Sequence, residues 1–132
     1  MMKPNLKDLP RLTPAELEVM KVLWEMDGLS AREVHTMVGV PRDWAYSTTR
    51  THIDRLVRKG LVEKASFHGL NVFKPSISRA SGLARMVRDF AHQVLGSSPQ
   101  PVVSLFAETG QLERHEIDEL TRLLEASDER EA

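Results

Sequence analysis

The sequence contains no cysteine among its 132 residues. Disulfide scaffolds, thiolate zinc sites and cysteine nucleophiles are therefore excluded. It also has no run approaching the roughly 18 to 20 consecutive apolar residues that a membrane span needs, so no membrane insertion is expected. Met1–Pro10 carries lysines but no apolar core of a secretory signal, and is expected to be a short flexible arm. A cytoplasmic protein is the expectation. An excess of one charge is missing too: the formal net charge is −1. Its distribution is uneven, however, with 12 basic against 9 acidic residues in Met1–Ile77 and 6 against 10 in Ser78–Ala132. A mildly basic front half followed by an acidic section is compatible with DNA, because only one face has to meet phosphates.

Helix signals follow in order. Thr13-Pro14-Ala15-Glu16 is a capping box with proline at the first helical position. Leu17, Met20, Leu23 and Trp24 recur behind it at helical spacing, widened by Val19 and Val22, until Asp27-Gly28. Ser30-Ala31-Arg32-Glu33 is a second capping box, with Val34, Met37 and Val38 as the apolar stripe and Gly39 and Pro41 as stops. A third helix is predicted from Ala45–Ser47 to Lys59, capped by Gly60. Its inward face is Tyr46, Thr49, Ile53, Leu56 and Val57. Two strand-like runs, Leu61–Phe67 and Leu70–Lys74, flank a His68-Gly69 turn, and Pro75 closes the second.

The remainder reads as helix: Ser78 to about Leu95, a break at Gly96–Pro99, a short apolar helix holding Val102, Val103, Leu105 and Phe106, and a last one over Glu113–Ala126, with Asp128–Ala132 frayed. The fold class is therefore mainly α with a small β-hairpin. It is a winged helix-turn-helix over 1–77 plus a C-terminal helical dimerisation region over 78–132.

An α-helix fits the major groove of B-DNA if one face is buried and the other carries donors. The third helix meets that need. Arg50 and Arg55 can bond bidentately to guanine or to phosphate, and Thr48 and Thr51 suit phosphates or a thymine methyl. Ser47 sits where first-turn N–H groups favour phosphate. Arg58, Lys59 and Lys64 are placed for backbone contact. His68 and Asn71, near the hairpin tip, suit phosphate or the minor groove. Arg50, Thr48 and Thr51 are assigned to bases, and Ser47, Arg55, Arg58 and Lys64 to phosphates. Trp44 and Tyr46 read as core rather than as base-stacking residues.

These residues also carry a resemblance. Leu12–Trp24, Leu29–Val34, Trp44–Thr51 with Arg55–Val62, and Phe73-Lys74-Pro75 together resemble the penicillinase-repressor family of bacterial transcription factors (BlaI/MecI/CopY-like), over about Leu12–Leu124. The resemblance implies a homodimeric repressor that binds an inverted-repeat operator in double-stranded DNA. The apolar stripes at Leu83, Met86, Val87 and Phe90, and at Ile117, Leu120 and Leu124, are the expected dimerisation residues. It also implies a sensor-triggered protease acting on the segment matching Val102–Ala107. The family typically has Asn before Phe there, whereas this chain has Leu105 before Phe106. Copper-responsive relatives carry paired cysteines that this chain lacks. Relatives often show Gly-Arg at the wing tip, where this chain has His68-Gly69-Leu70, so no wing arginine is carried over.

The rival functions are weaker. Five histidines are scattered without a metallopeptidase, phosphate-loop or nucleophile motif. His115, Glu116 and Glu119 read as an exposed acidic face rather than a metal site. No catalytic residue, metal or cofactor is assigned, and no enzyme activity is expected. A winged helix used only for protein contacts has no need of a basic third helix. Met37, Met86 and Trp44 are read as core rather than as the lining of a ligand pocket.

Overall fold

The computed structural model describes residues 9–131, with side chains as far as residue 126. They divide into two compact units, Leu12–Ser78 and a helical unit that begins at Arg79. Of the arm predicted over Met1–Pro10, residues 1–8 lie outside the described residues. Leu9 is no part of a free arm, because it is buried in the core of the helical unit.

In the first unit, α1 spans Pro14–Glu25. Its capping box is complete: Thr13 Oγ1 accepts from the Glu16 N–H at 3.1 Å, and the Glu16 carboxylate accepts from the Thr13 N–H at 2.9 Å. Val19, Met20 and Leu23 are buried, as their spacing requires. The second capping box is also complete, Ser30 with Glu33, and starts α2 at Ala31–Val34. Here the expected stop is corrected. The helical path runs on through Gly39 as a π-helical turn, His35–Gly39, and through Val40–Arg42 as a 3-10 turn. Pro41 stands in the first turn of that last segment, where its missing N–H costs no bond. The chain turns away only at Asp43, with φ of +60°.

α3 spans Tyr46–Arg58 and buries Thr49, Ile53 and Leu56. Gly39 permits its close approach: a Cβ there would lie 2.3 Å from His35 Nδ1 and 2.5 Å from Thr49 Oγ1. Those two atoms are themselves 2.7 Å apart, which ties the α2 segment to the buried side of α3.

The wing is an antiparallel pair, β1 Val62–Phe67 and β2 Leu70–Pro75, with Val62 opposite Pro75 and Phe67 opposite Leu70. His68 and Gly69 both have positive φ, as a two-residue type I′ turn demands. Leu29 adds a one-residue bridge to Phe73, with bonds of 3.2 and 2.7 Å. The sequence pattern did not reveal this third stretch of ladder. Phe73 thereby seats the root of the wing in the core with Leu23, Val34, Ile53 and Leu56. The Trp24 indole N–H donates to the Ile77 carbonyl at 3.0 Å and holds the segment after the wing.

In the helical unit, α4 is Arg79–Phe90 followed by a π-helical turn Ala91–Leu95, α5 is Gln100–Thr109 and α6 is Arg114–Glu131. The helix runs past Ala126 into the stretch expected to fray, since no glycine or proline follows Gly110. Alanines at 80, 84 and 91 let α6 pack against α4, and α5 packs on α6 as well. The Arg79 guanidinium grips the Glu116 carboxylate with two bonds of 2.7 and 2.6 Å, joining the starts of α4 and α6.

This packing corrects part of the dimer expectation. Val87, Leu120 and Leu124 are buried within the chain itself, at 4%, 0% and 1% exposure, so they form core rather than contact surface. Leu83 and Ile117 are half-buried, while Met86 and Phe90 are exposed. The Leu105–Phe106 bond lies inside α5, with Val102 and Val103 buried beside it.

Candidate nucleic-acid interface

α3 separates its two faces cleanly. Thr49, Ile53 and Leu56 are spent on the core. Ser47, Arg50, Thr51, Asp54, Arg55 and Arg58 recur at i, i+3, i+4, i+7, i+8 and i+11 and form one stripe on the other side. All six are exposed except Arg50, which is half-buried, and Thr48 is half-buried on the flank. The first turn of α3 is left open to an acceptor: Ala45 is the N-cap and has no side-chain oxygen to offer its N–H groups. A phosphate oxygen suits that end, where the helix dipole is positive.

Arg50 is held rather than loose. Tyr46, one turn before it, and Asp54, one turn after it, push its already high pKa further up against partial burial. The Asp54 carboxylate is 3.8 Å away. Arg50 Nε is buried with no partner in the chain. Tyr46 is itself fixed from behind by the Arg32 guanidinium, 3.9 Å above its ring centre, and by the edge of His35. Tyr46 and Trp44 pack against the core, as read from the sequence. The i, i+4, i+8 spacing of Tyr46, Arg50 and Asp54 is the sequence signal of this arrangement.

Lys59 takes a different place from the one expected. Its ammonium is 2.6 Å from the Glu16 carboxylate, which is 1% exposed. Burial pushes the Glu16 carboxyl up, but Lys59 and the Thr13 capping bonds outweigh it and hold the group below its ordinary value. Lys59 therefore ties α3 to α1 while its side chain stays exposed, as those of Arg55 and Arg58 do. Lys64, His68 and Asn71 stand on the wing, all exposed, with Asn71 opposite Ser66. They form a second patch of the same unit, separate from the α3 stripe.

A further surface belongs to the helical unit. A groove of about 580 Å³ is lined by apolar side chains alone, among them Met86, Phe90, Leu95, Pro101, Leu105 and Phe106. Among the described residues, no group of three or more histidines and carboxylates could hold a metal ion. No helix there is long and apolar enough to cross a membrane.

Three helices, a hairpin wing and an uncapped, basic outer stripe on the third helix define a winged-helix DNA-binding regulator. The family model described as penicillinase repressor matches residues 12–126. The chain belongs to the penicillinase repressor family. It is 29% identical over 120 residues to the penicillinase repressor of Bacillus licheniformis, spanning 91% of this chain and 94% of that one. It is 26% identical over 113 residues to the methicillin resistance regulatory protein MecI of Mammaliicoccus sciuri, with 86% and 92% covered. The solution structure of the DNA-binding domain of the repressor BlaI superposes with a TM-score of 0.51 at 31% identity, covering 57% of this chain and 92% of that domain. The monomeric form of Bacillus licheniformis BlaI, in complex with the blaP half-operator, does so with a TM-score of 0.50 at 30% identity, covering 55% and 89%.

Proposed function

We propose that this chain represses transcription in the cytoplasm by binding an inverted-repeat operator as a homodimer, each winged unit occupying one half-site. The observation that carries the reading is the α3 stripe: a rigidly seated helix whose outer face holds Arg50, Arg55 and Arg58 among Ser47, Thr48 and Thr51. The match to a BlaI monomer in complex with the blaP half-operator, 30% identical over 55% of this chain, supports it. Arg50, steadied by Tyr46 and Asp54, is assigned to a base edge with Thr48 and Thr51. Ser47, Arg55, Arg58 and Lys64 hold phosphates, and His68 and Asn71 approach the duplex from the wing. The dimer contact is assigned to the groove edge at Leu83, Met86 and Phe90, with Ile117 half-buried in the same unit. Repression is steric: an occupied operator that overlaps a promoter excludes RNA polymerase.

The test is fluorescence anisotropy with a duplex from the gene's own upstream region and a scrambled duplex, titrated at several salt concentrations. Tight, salt-sensitive binding that prefers the native duplex supports the reading. Arg50→Ala should lose about tenfold in preference between the two duplexes, whereas Arg58→Ala should weaken both alike. No binding by the wild type at low salt would contradict the reading and favour a winged helix used for protein contacts.

A further inference from the structure

Arg32 lies on α2 and Tyr46 opens α3, and the Arg32 guanidinium stands over the Tyr46 ring, 3.9 Å from its centre. His35, three residues further along the same helical path, meets that ring from its edge, with centroids 5.5 Å apart and planes at 86°. His35 is itself fixed: its Nδ1 is bonded to the hydroxyl of buried Thr49 at 2.7 Å, and Gly39 has no side chain to displace either group. The one tyrosine of the chain is thus clamped by the α2 segment on both face and edge.

A packing role alone would be met by phenylalanine, so the hydroxyl points to a further use. Arg50 follows Tyr46 by one turn, and residues four apart on a helix are neighbours. Tyr46 favours the charged form of Arg50 more than any other group does, and the Asp54 carboxylate stands 3.8 Å from the guanidinium one turn further on. Arg50 Nε is buried although the side chain as a whole is 42% exposed, so the arm is laid along the protein rather than projecting freely. A held arginine acts differently from a loose one. Facing a wrong base, a loose arm swings to a phosphate and recovers binding energy, whereas a held arm does not. An arm ordered in the free protein also loses less freedom on binding.

We infer that Arg32 is a positioning residue for base recognition: with His35 it clamps Tyr46, and the clamped tyrosine sets the direction from which Arg50 meets a base edge. The inference rests on the assignment of Arg50 to a base made above, and it extends sequence selection to a residue of α2 that acts through two others.

The test uses the full chain with the upstream and scrambled duplexes at several salt concentrations. Tyr46→Phe keeps the ring, its clamp and the net charge. It should lose about three- to fivefold in preference between the duplexes, with its melting temperature unchanged. Arg32→Ala should lose a similar factor, and Arg32→Lys, which keeps a cation over the ring, should retain most of the preference. In an Arg50→Ala background, Arg32→Ala should change the preference no further. Selective tyrosine labelling reports the clamp directly by NMR, and Arg32→Ala should shift the ring resonances of the free protein. The inference is overturned if Arg32→Ala weakens both duplexes alike and lowers the salt slope by about one, which is the mark of a phosphate contact. It is also overturned if Tyr46→Phe behaves as wild type, or if Arg32→Ala costs as much preference without Arg50 as with it. Loss of preference by Arg50→Ala, but not by Tyr46→Phe or Arg32→Ala, removes the inference alone. An Arg50→Ala chain with the wild-type preference removes the base assignment and the inference together.

Discussion

The winged unit closes its core within itself, while the helical unit does not. In the first, the buried cluster around Phe73, Met20, Leu23, Ile53 and Leu56 draws on all three helices and the wing. Its exposed apolar residues are scattered, apart from the rung at the wing tip. In the second, Ala80, Ala84, Val87, Leu120 and Leu124 make a small interior, and Met86, Phe90, Leu95 and Leu105 remain exposed around a single groove. An apolar patch concentrated in this way marks a surface that is covered in use. One unit thus spends its hydrophobic residues on seating α3, and the other leaves part of them exposed around the groove.

The largest effect expected is on the closed core. Phe73→Ala should cost about 3 to 5 kcal/mol and unfold the winged unit first. Both tryptophans, Trp24 and Trp44, lie in that unit, so their fluorescence reports it alone, while far-UV circular dichroism reports both units. A Phe73→Ala fluorescence transition that did not move ahead of the dichroism transition would break the comparison. Leu120→Ala should cost about 2 to 5 kcal/mol in the helical unit, because that side chain is interior rather than interfacial.

Smaller effects follow from the ion pairs. Lys59→Met leaves Glu16 buried without its cation and should cost about 1 to 3 kcal/mol, read as a lower denaturation midpoint by tryptophan fluorescence. Each unit also carries a carboxylate held below its ordinary pKa. Glu16 is held down by Lys59 and Thr13 against burial, and Glu116 by the Arg79 fork against burial. An unfolded chain binds more protons than the folded one in that window. Stability is therefore complete above the ordinary carboxylate value of 4.5 and is lost as the pH falls through the lower folded values. Melting temperature measured by circular dichroism should fall below that pH, and Glu116→Gln should flatten the fall for the helical unit. The smallest expected effect is Phe90→Ala on the stability of a single chain, within about 0.5 kcal/mol by chemical denaturation at high dilution, because Phe90 is 48% exposed.

Much of the winged unit was legible in the sequence because its signals are local. Two complete capping boxes, helical spacing in α1 and α3, and a two-residue turn between alternating runs each announce themselves within a few residues. The α3 stripe was legible for the same reason. What escaped depends on distant contacts. The Leu29–Phe73 bridge and the Glu16–Lys59 pair join residues more than forty positions apart. The continuation through Pro41 required a switch of helix type that no periodicity announces. In the helical unit, an apolar stripe states that a face is covered but not by what. Leu120 and Leu124 proved to be covered from within, because alanines on α4 make room for them.

The central claim is that one unit reads DNA while the other pairs two copies. Sedimentation of the full chain with the upstream duplex, as wild type and as Phe90→Asp, tests it most directly. Phe90 is exposed, so the charge is tolerated in a single chain but placed in the apolar groove. Two wild-type chains per duplex, with Phe90→Asp remaining folded but binding singly and more weakly, is the predicted result. One wild-type chain per duplex, or a Phe90→Asp complex of unchanged mass and affinity, would contradict the claim.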